Sequence, residues 1–339
     1  MHAVFDQSPA GSADTALRHR FAVAPMMDCT DRHYRYLARL ISRRALLYTE
    51  MLTTGAVIFG DAGNLLGFDP AEHPVVLQVG GSDPVDMARS ARIAERRGFD
   101  EININVGCPS GRVQAGTFGA CLMKQPELVA DCVRSMRDAV SLPVTVKHRI
   151  GVDDHDSVDA LKRFVETVSR AGCDTFIVHA RKAWLRGLSP KQNREVPQLN
   201  YPTVHELKRS FPELTMVVNG GFIDLVSAHD HLQWVDGVML GRAAFSNPWI
   251  LSGVDQLFHG EPSLPLGRRE VLDAYMSYCQ AQLRRGVPLP RLVRPVVGLF
   301  QGCRGARAWR RCLSEKAHLP GAGIDVMENA LTRVADAAA

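Results

Sequence analysis

No run in this chain approaches the roughly 20 apolar residues that a membrane-crossing helix requires. No two of its eight cysteines (29, 108, 121, 132, 173, 279, 303 and 312) are spaced Cys-x-x-Cys, and no Cys/His spacing matches a zinc site. A chain of 339 residues can bury its core without disulfides, so the thiols point to a reducing, cytoplasmic compartment and no metal. A continuous apolar segment is also missing from residues 1–20, and residues 1–18 are expected to be a loose polar tail, not a signal peptide. The G-x-G-x-x-G of a dinucleotide fold is absent after the first β-rich segment, where Ala24-Pro25-Met26-Met27-Asp28 stands instead. Finally, there is no acidic residue between Asp273 and Glu315, a window that holds eight arginines: 284, 285, 291, 294, 304, 307, 310 and 311.

That last gap gives an unremarkable net charge of +4 a location. Residues 261–339 carry 12 basic and 7 acidic side chains, whereas the rest of the chain carries 28 and 29. The positive excess therefore lies entirely in the C-terminal part. Arg304, Arg307 and Arg311 have the spacing of one helical face. A solvated helix surface would account for such a face, but so would contact with a polyanion, for which nucleic acid is the natural candidate.

What is present is alternation. Eight short β-rich segments (21–26, 45–51, 75–81, 101–109, 143–151, 175–181, 215–221 and 237–242) are each followed by an amphipathic helical segment. Eight βα units in about 240 residues predict a (β/α)₈ TIM barrel over 19–260; the rival, an open doubly wound sheet, is weakened by the missing dinucleotide motif. Glu261–Gly267 reads as a proline-rich linker. Beyond it only helices are expected (269–286, 292–319 with a glycine interruption at 298–305, and 325–338), forming a small C-terminal helical bundle over 261–339.

In a parallel barrel, chemistry sits at the C-terminal ends of the strands. The fourth segment is unusual: Asn103 and Asn105 alternate with Ile102, Ile104 and Val106, and Cys108-Pro109 follows. Buried amides cost free energy unless paired, so something polar is expected over them. Asn219-Gly220-Gly221 and Gly241-Arg242 end the last two segments, where backbone N–H groups and a cation can cradle phosphate. Lys147 and His179 end adjacent segments. Lys147 could form a Schiff base or offer a fixed charge to a cofactor ring. Gln78, Asn103 and Asn105 favour the ring, because amides match heterocycle edges. Cys108 could act as a nucleophile or as a proton donor.

Taken together, APMMDCTDRHYR, LYTEM, LQVGG, ININVGCPSGRVQAGTFGACLM, VTVKHRIG, FIVHAR, VVNGG and MLGR resemble the tRNA-dihydrouridine synthases over nearly the whole chain. SPKQNREVPQLNY and GARAWRR are similar to the 20/20a subfamily. The resemblance implies a monomeric FMN enzyme that uses NADPH to reduce uridines in the D-loop of tRNA. Cys108 is then the acid that protonates C5 after hydride reaches C6. Pro25, Met26, Met27, Gln78, Lys147, His179, Asn219, Gly220, Gly221, Gly241 and Arg242 hold FMN, and Asn105 holds the uracil. Lys191, Arg194, Arg307 and Arg310 contact tRNA. Two other readings remain at this stage. A small-molecule FMN oxidoreductase has no use for the basic tail, and a catalytically silent RNA-binding protein has no use for Cys108.

Overall fold

The computed structural model describes residues 17–111, 113, 116–262 and 266–334. Most of the expected N-terminal tail, the middle of the loop after Cys108, part of the linker and the end of the last expected helix lie outside these residues.

Alternation in the sequence becomes a closed parallel barrel. Its strands are β1 (Phe21–Val23), β2 (Leu46–Tyr48), β4 (Val75–Gly80), β5 (Glu101–Val106), β6 (Val144–Arg149), β7 (Thr175–His179), β8 (Thr215–Asn219) and β9 (Gly237–Leu240). They pair in the order β2-β1-β9-β8-β7-β6-β5-β4, and β2 pairing with β4 closes the ring. A two-residue strand, β3 (Leu52–Thr53), continues the pairing with β4 above β2. The strands stop short of the segments expected from sequence, because the final residues of those segments leave the ladder to build the loops of the barrel mouth.

Side-chain alternation sorts each strand into two faces. Ile102, Ile104 and Val106 of β5, like Val144 and Val146 of β6, point outward and join the main core beneath the helices. Ala22, Leu46, Tyr48, Val76, Ile177, Val217 and Met239 form a smaller apolar cluster inside the barrel. The helices of the outer layer carry local start signals. Asp83, for instance, accepts from the N–H groups of Val85 and Asp86 to cap the helix Pro84–Arg97, which stabilises it by about 1 kcal/mol.

The C-terminal helices are Arg268–Arg284, Leu289–Val293, Ala306–Lys316 and Asp325–Leu331. They share one continuous core with the barrel's helical layer. Tyr278 lies on Tyr36 in parallel, 3.9 Å between centroids, and its hydroxyl is 2.8 Å from His33 Nδ1. Trp309 is fully buried and donates to the Val296 carbonyl. One expectation is corrected here. Arg304 does not belong to a helical stripe with Arg307 and Arg311, because Gly305 adopts φ +94° and the helix begins only at Ala306. Arg304, Arg307, Arg310 and Arg311 are all exposed, and no ion pair engages them among the described residues.

Candidate active site

The C-terminal ends of β1 and β6 to β9 surround a cavity of about 460 Å³, a volume ordinary for a small-molecule site. Pro25, Met26, Lys147, His179, Asn219, Gly220, Gly221, Gly241 and Arg242 all line it. So does Arg194, expected from sequence to touch tRNA, which here joins Arg242 in the cavity wall.

At one end of the cavity the backbone is exposed by glycine. Gly220 has φ +117°, and a Cβ there would lie 2.7 Å from the ring of His179. Only glycine lets the chain pass this close to the imidazole. The Gly220 carbonyl accepts from the Tyr201 hydroxyl at 2.6 Å, which pins the turn from below. Arg242 Nη1 is held 2.8 Å from Glu195 Oε1, and its Nη2 reaches the Arg194 carbonyl. Burial, together with the charges of Arg149, Lys147, Arg181 and Arg194, drives the His179 pKa well below its usual value, so the ring is neutral. Two guanidinium groups and a glycine backbone are donors suited to a phosphate. Ala24, Met26, Phe222 and Met239 in the same cavity are suited to an apolar ring. A phosphorylated flavin mononucleotide fits that donor set.

Lys147 Nζ donates to Asn219 Oδ1 at 3.1 Å. Burial, then the charge of Arg149, lower its pKa to about 7, a shift partly opposed by Cys108. In the β5–β6 ladder Lys147 is the direct partner of Asn105. It therefore stands between the cavity and the loop that carries Cys108. The neighbouring His148 faces outward between Phe164 and Phe176, a packing position.

The remaining expected residues lie elsewhere. Met27 is exposed at the mouth and does not line the cavity. Gln78 is 1% exposed and faces two other amides: its Nε2 donates to Asn103 Oδ1, and its Oε1 accepts from Asn105 Nδ2, both at 2.8 Å. Asn103 is satisfied on its other side by Thr145 Oγ1 at 2.9 Å. A ligand was expected to cover these amides, but they largely satisfy one another. Asn105 Oδ1 accepts from the N–H groups of Gly107 and Cys108, at 3.1 and 3.0 Å. Its second amide hydrogen is left to donate. The half-buried Cys108 thiol faces Ser110 Oγ at 3.6 Å. Lys191, Arg307 and Arg310 are exposed, away from the cavity lining.

Sequence reasoning gave no role to Arg149, which ties the site together. It is nearly buried, and donates from Nε to the Gly107 carbonyl at 2.9 Å and from Nη1 to the carbonyls of Lys182 and Asn193. One side chain thus braces the loops after β5 and β7. Asn193, fully buried, does the same within the basic loop by bonding Trp184 through both ends of its amide. Nothing in the basic run around Asn193 signalled a buried brace.

Residues 22–335 match the family model described as dihydrouridine synthase (Dus). The chain is 58% identical over 318 residues to the tRNA-dihydrouridine(20/20a) synthase of Escherichia coli strain K12, covering 94% of this chain and 92% of that one. It is 54% identical to the protein of the same name in Shewanella oneidensis, covering 94% and 95%, and 54% identical to that of Vibrio cholerae, covering 93% and 96%. Among solved structures, morphinone reductase superposes with a TM-score of 0.51 at 12% identity, over 74% of this chain and 88% of the other. That likeness concerns the barrel fold alone.

Proposed function

This chain belongs to the dihydrouridine synthase family, and we propose that it reduces uridines of the tRNA D-loop, at positions 20 and 20a, to 5,6-dihydrouridine. The cofactor is FMN and the reductant NADPH. One observation carries the reading: Lys147 joins a phosphate-suited cavity to the Cys108 loop through its pairing with Asn105.

When bound, the flavin supplies hydride to C6 of the uracil ring. The protein's part is to bind, orient and protonate. Gly220, Gly221, Gly241, Arg242 and the neutral His179 hold the phosphate and ribityl chain, while Pro25 and Met26 back the ring. Lys147 lies at the ring's edge. The free amide hydrogen of Asn105 donates to a uracil carbonyl, offsetting charge that develops there in the transition state. Cys108 gives its thiol proton to C5. A base inside a folded tRNA must be extruded to reach a barrel mouth. Phosphate contacts to Lys191 and to Arg307 and Arg310 on the 261–339 helices supply the energy. The enzyme works as a cytoplasmic monomer, and NADPH uses the same open face as the tRNA in alternation.

The test is direct. Purified yellow protein with NADPH should form dihydrouridine in unmodified tRNA at the D-loop positions, and a strain lacking it should lose dihydrouridine there. Loss elsewhere in the tRNA, or none, overturns the assignment.

A further inference from the structure

A TIM barrel usually fills its interior with branched apolar side chains. Half of this interior does so. The other half, along β4, β5 and β6, holds a continuous line of polar groups that begins at the opposite end from the site. Glu101 opens β5 on the barrel floor, 1% exposed. Its Oε1 accepts from Thr145 Oγ1 at 2.5 Å, and its Oε2 lies 2.8 Å from His19 Nε2. Thr145 Oγ1 accepts from Asn103, Asn103 from Gln78, and Gln78 from Asn105. Asn105 in turn accepts from the backbone of Gly107 and Cys108. Ladder pairing places Gln78, Asn103 and Thr145 side by side, and the line spans roughly 13 Å of strand from Glu101 to Asn105.

The line has one direction. At its upper end stand two backbone N–H groups, which can only donate. At its lower end stands a carboxylate, which offers only acceptors. Each amide between them has a donor end and an acceptor end, so both termini impose the same orientation on every member. Turning one amide over would set donor against donor or acceptor against acceptor. Burying a carboxylate is costly compared with an apolar residue of the same size, so orientation is what the arrangement supplies in return.

We propose that Glu101 is a positioning residue, which fixes the Asn105 amide, and through it the backbone carrying Cys108, by way of Thr145, Asn103 and Gln78. The value of this to catalysis rests on Cys108 and Asn105 acting as described above; the relay itself does not.

Two measurements on the flavin-loaded protein separate these. Selective ¹⁵N-cysteine labelling gives one amide resonance per cysteine, and Cys108→Ser identifies that of Cys108. Thr145→Val keeps the shape but removes the hydroxyl, and Glu101→Gln adds a donor at the floor. Both should displace the Cys108 amide resonance, Thr145→Ser should restore it, and Cys279 and Cys312 in the C-terminal helices should not move. In the same series turnover on tRNA should fall by about 10-fold or more in Thr145→Val and recover in Thr145→Ser. A Cys108 resonance unmoved in both variants overturns the relay. A displaced resonance alongside full activity in Cys108→Ala upholds the relay and overturns the acid assignment instead.

Discussion

The ammonium of Lys147 meets the neutral amide of Asn219 at 3.1 Å, and no carboxylate pairs with it among the described residues. A half-buried cation with a neutral partner is a liability for folding. The pKa falls from 10.5 to about 7 because burial opposes the charged form. Between those two values the unfolded chain binds more protons than the folded one, so stability rises with pH across that window. Below pH 7 the penalty is present in full. Replacing Lys147 with Met should therefore favour the flavin-free protein by about 1–2 kcal/mol more at pH 6 than at pH 9. The gain should shrink towards pH 9, where Lys147 is already neutral. Thermal melts at the two pH values check this; a constant or negative difference contradicts it.

Cys108→Ala should keep its flavin, since Cys108 does not line the cavity. Dihydrouridine formation should fall by about 10²–10⁴-fold, the usual contribution of a positioned acid. The measurement is single-turnover product formation from pre-reduced enzyme, with the bound flavin read from its absorbance.

Gly220→Ala should lose flavin. The substitution forces a Cβ to 2.7 Å from the His179 ring at a φ of +117°, at a cost on the order of 1–3 kcal/mol. Either the turn or the imidazole must move, and both belong to the cavity wall. Purified variant should contain substoichiometric flavin while keeping its far-ultraviolet circular dichroism.

Arg307→Ala with Arg310→Ala should weaken tRNA binding and reduce the slope of log K against log salt by roughly 1.5–2, one phosphate contact per side chain. NADPH oxidation without tRNA should be unaffected. Binding isotherms at several salt concentrations decide the matter, and an unchanged slope removes these arginines from the interface.

The barrel was legible because its period is local: each β segment alternates, and each is followed by an amphipathic helix. The glycine-lined end of the cavity was legible for the same reason, since Asn219-Gly220-Gly221 and Gly241-Arg242 are two short local runs. What could not be read was anything that depends on register between strands. Thr145 shares a face with Lys147, a period-two signal visible in the sequence, yet its bond to Asn103 requires knowing that β5 and β6 align Asn103 with Thr145. Gln78 shows the same limit. It is an amide at the right strand end, but the β4–β5 register turns its head group towards its neighbours. Arg149 was hidden because its partners are backbone carbonyls of loops distant in sequence, and Asn193 because its amide pairs with the backbone of its own irregular loop. Arg304 failed for a local reason, a left-handed glycine between it and the helix.

Tyr278 stacked on Tyr36 fastens the basic helices to the barrel's first helix through a shared buried core. Fastened in this way, the pair behaves as a ruler of fixed length. With tRNA held at Arg307 and Arg310 as proposed, the distance from these arginines to the barrel mouth would set which nucleotide reaches it. Choice among the uridines of one tRNA would then follow from where the RNA is held, and shifting the grip by one phosphate would move the selected position by one nucleotide.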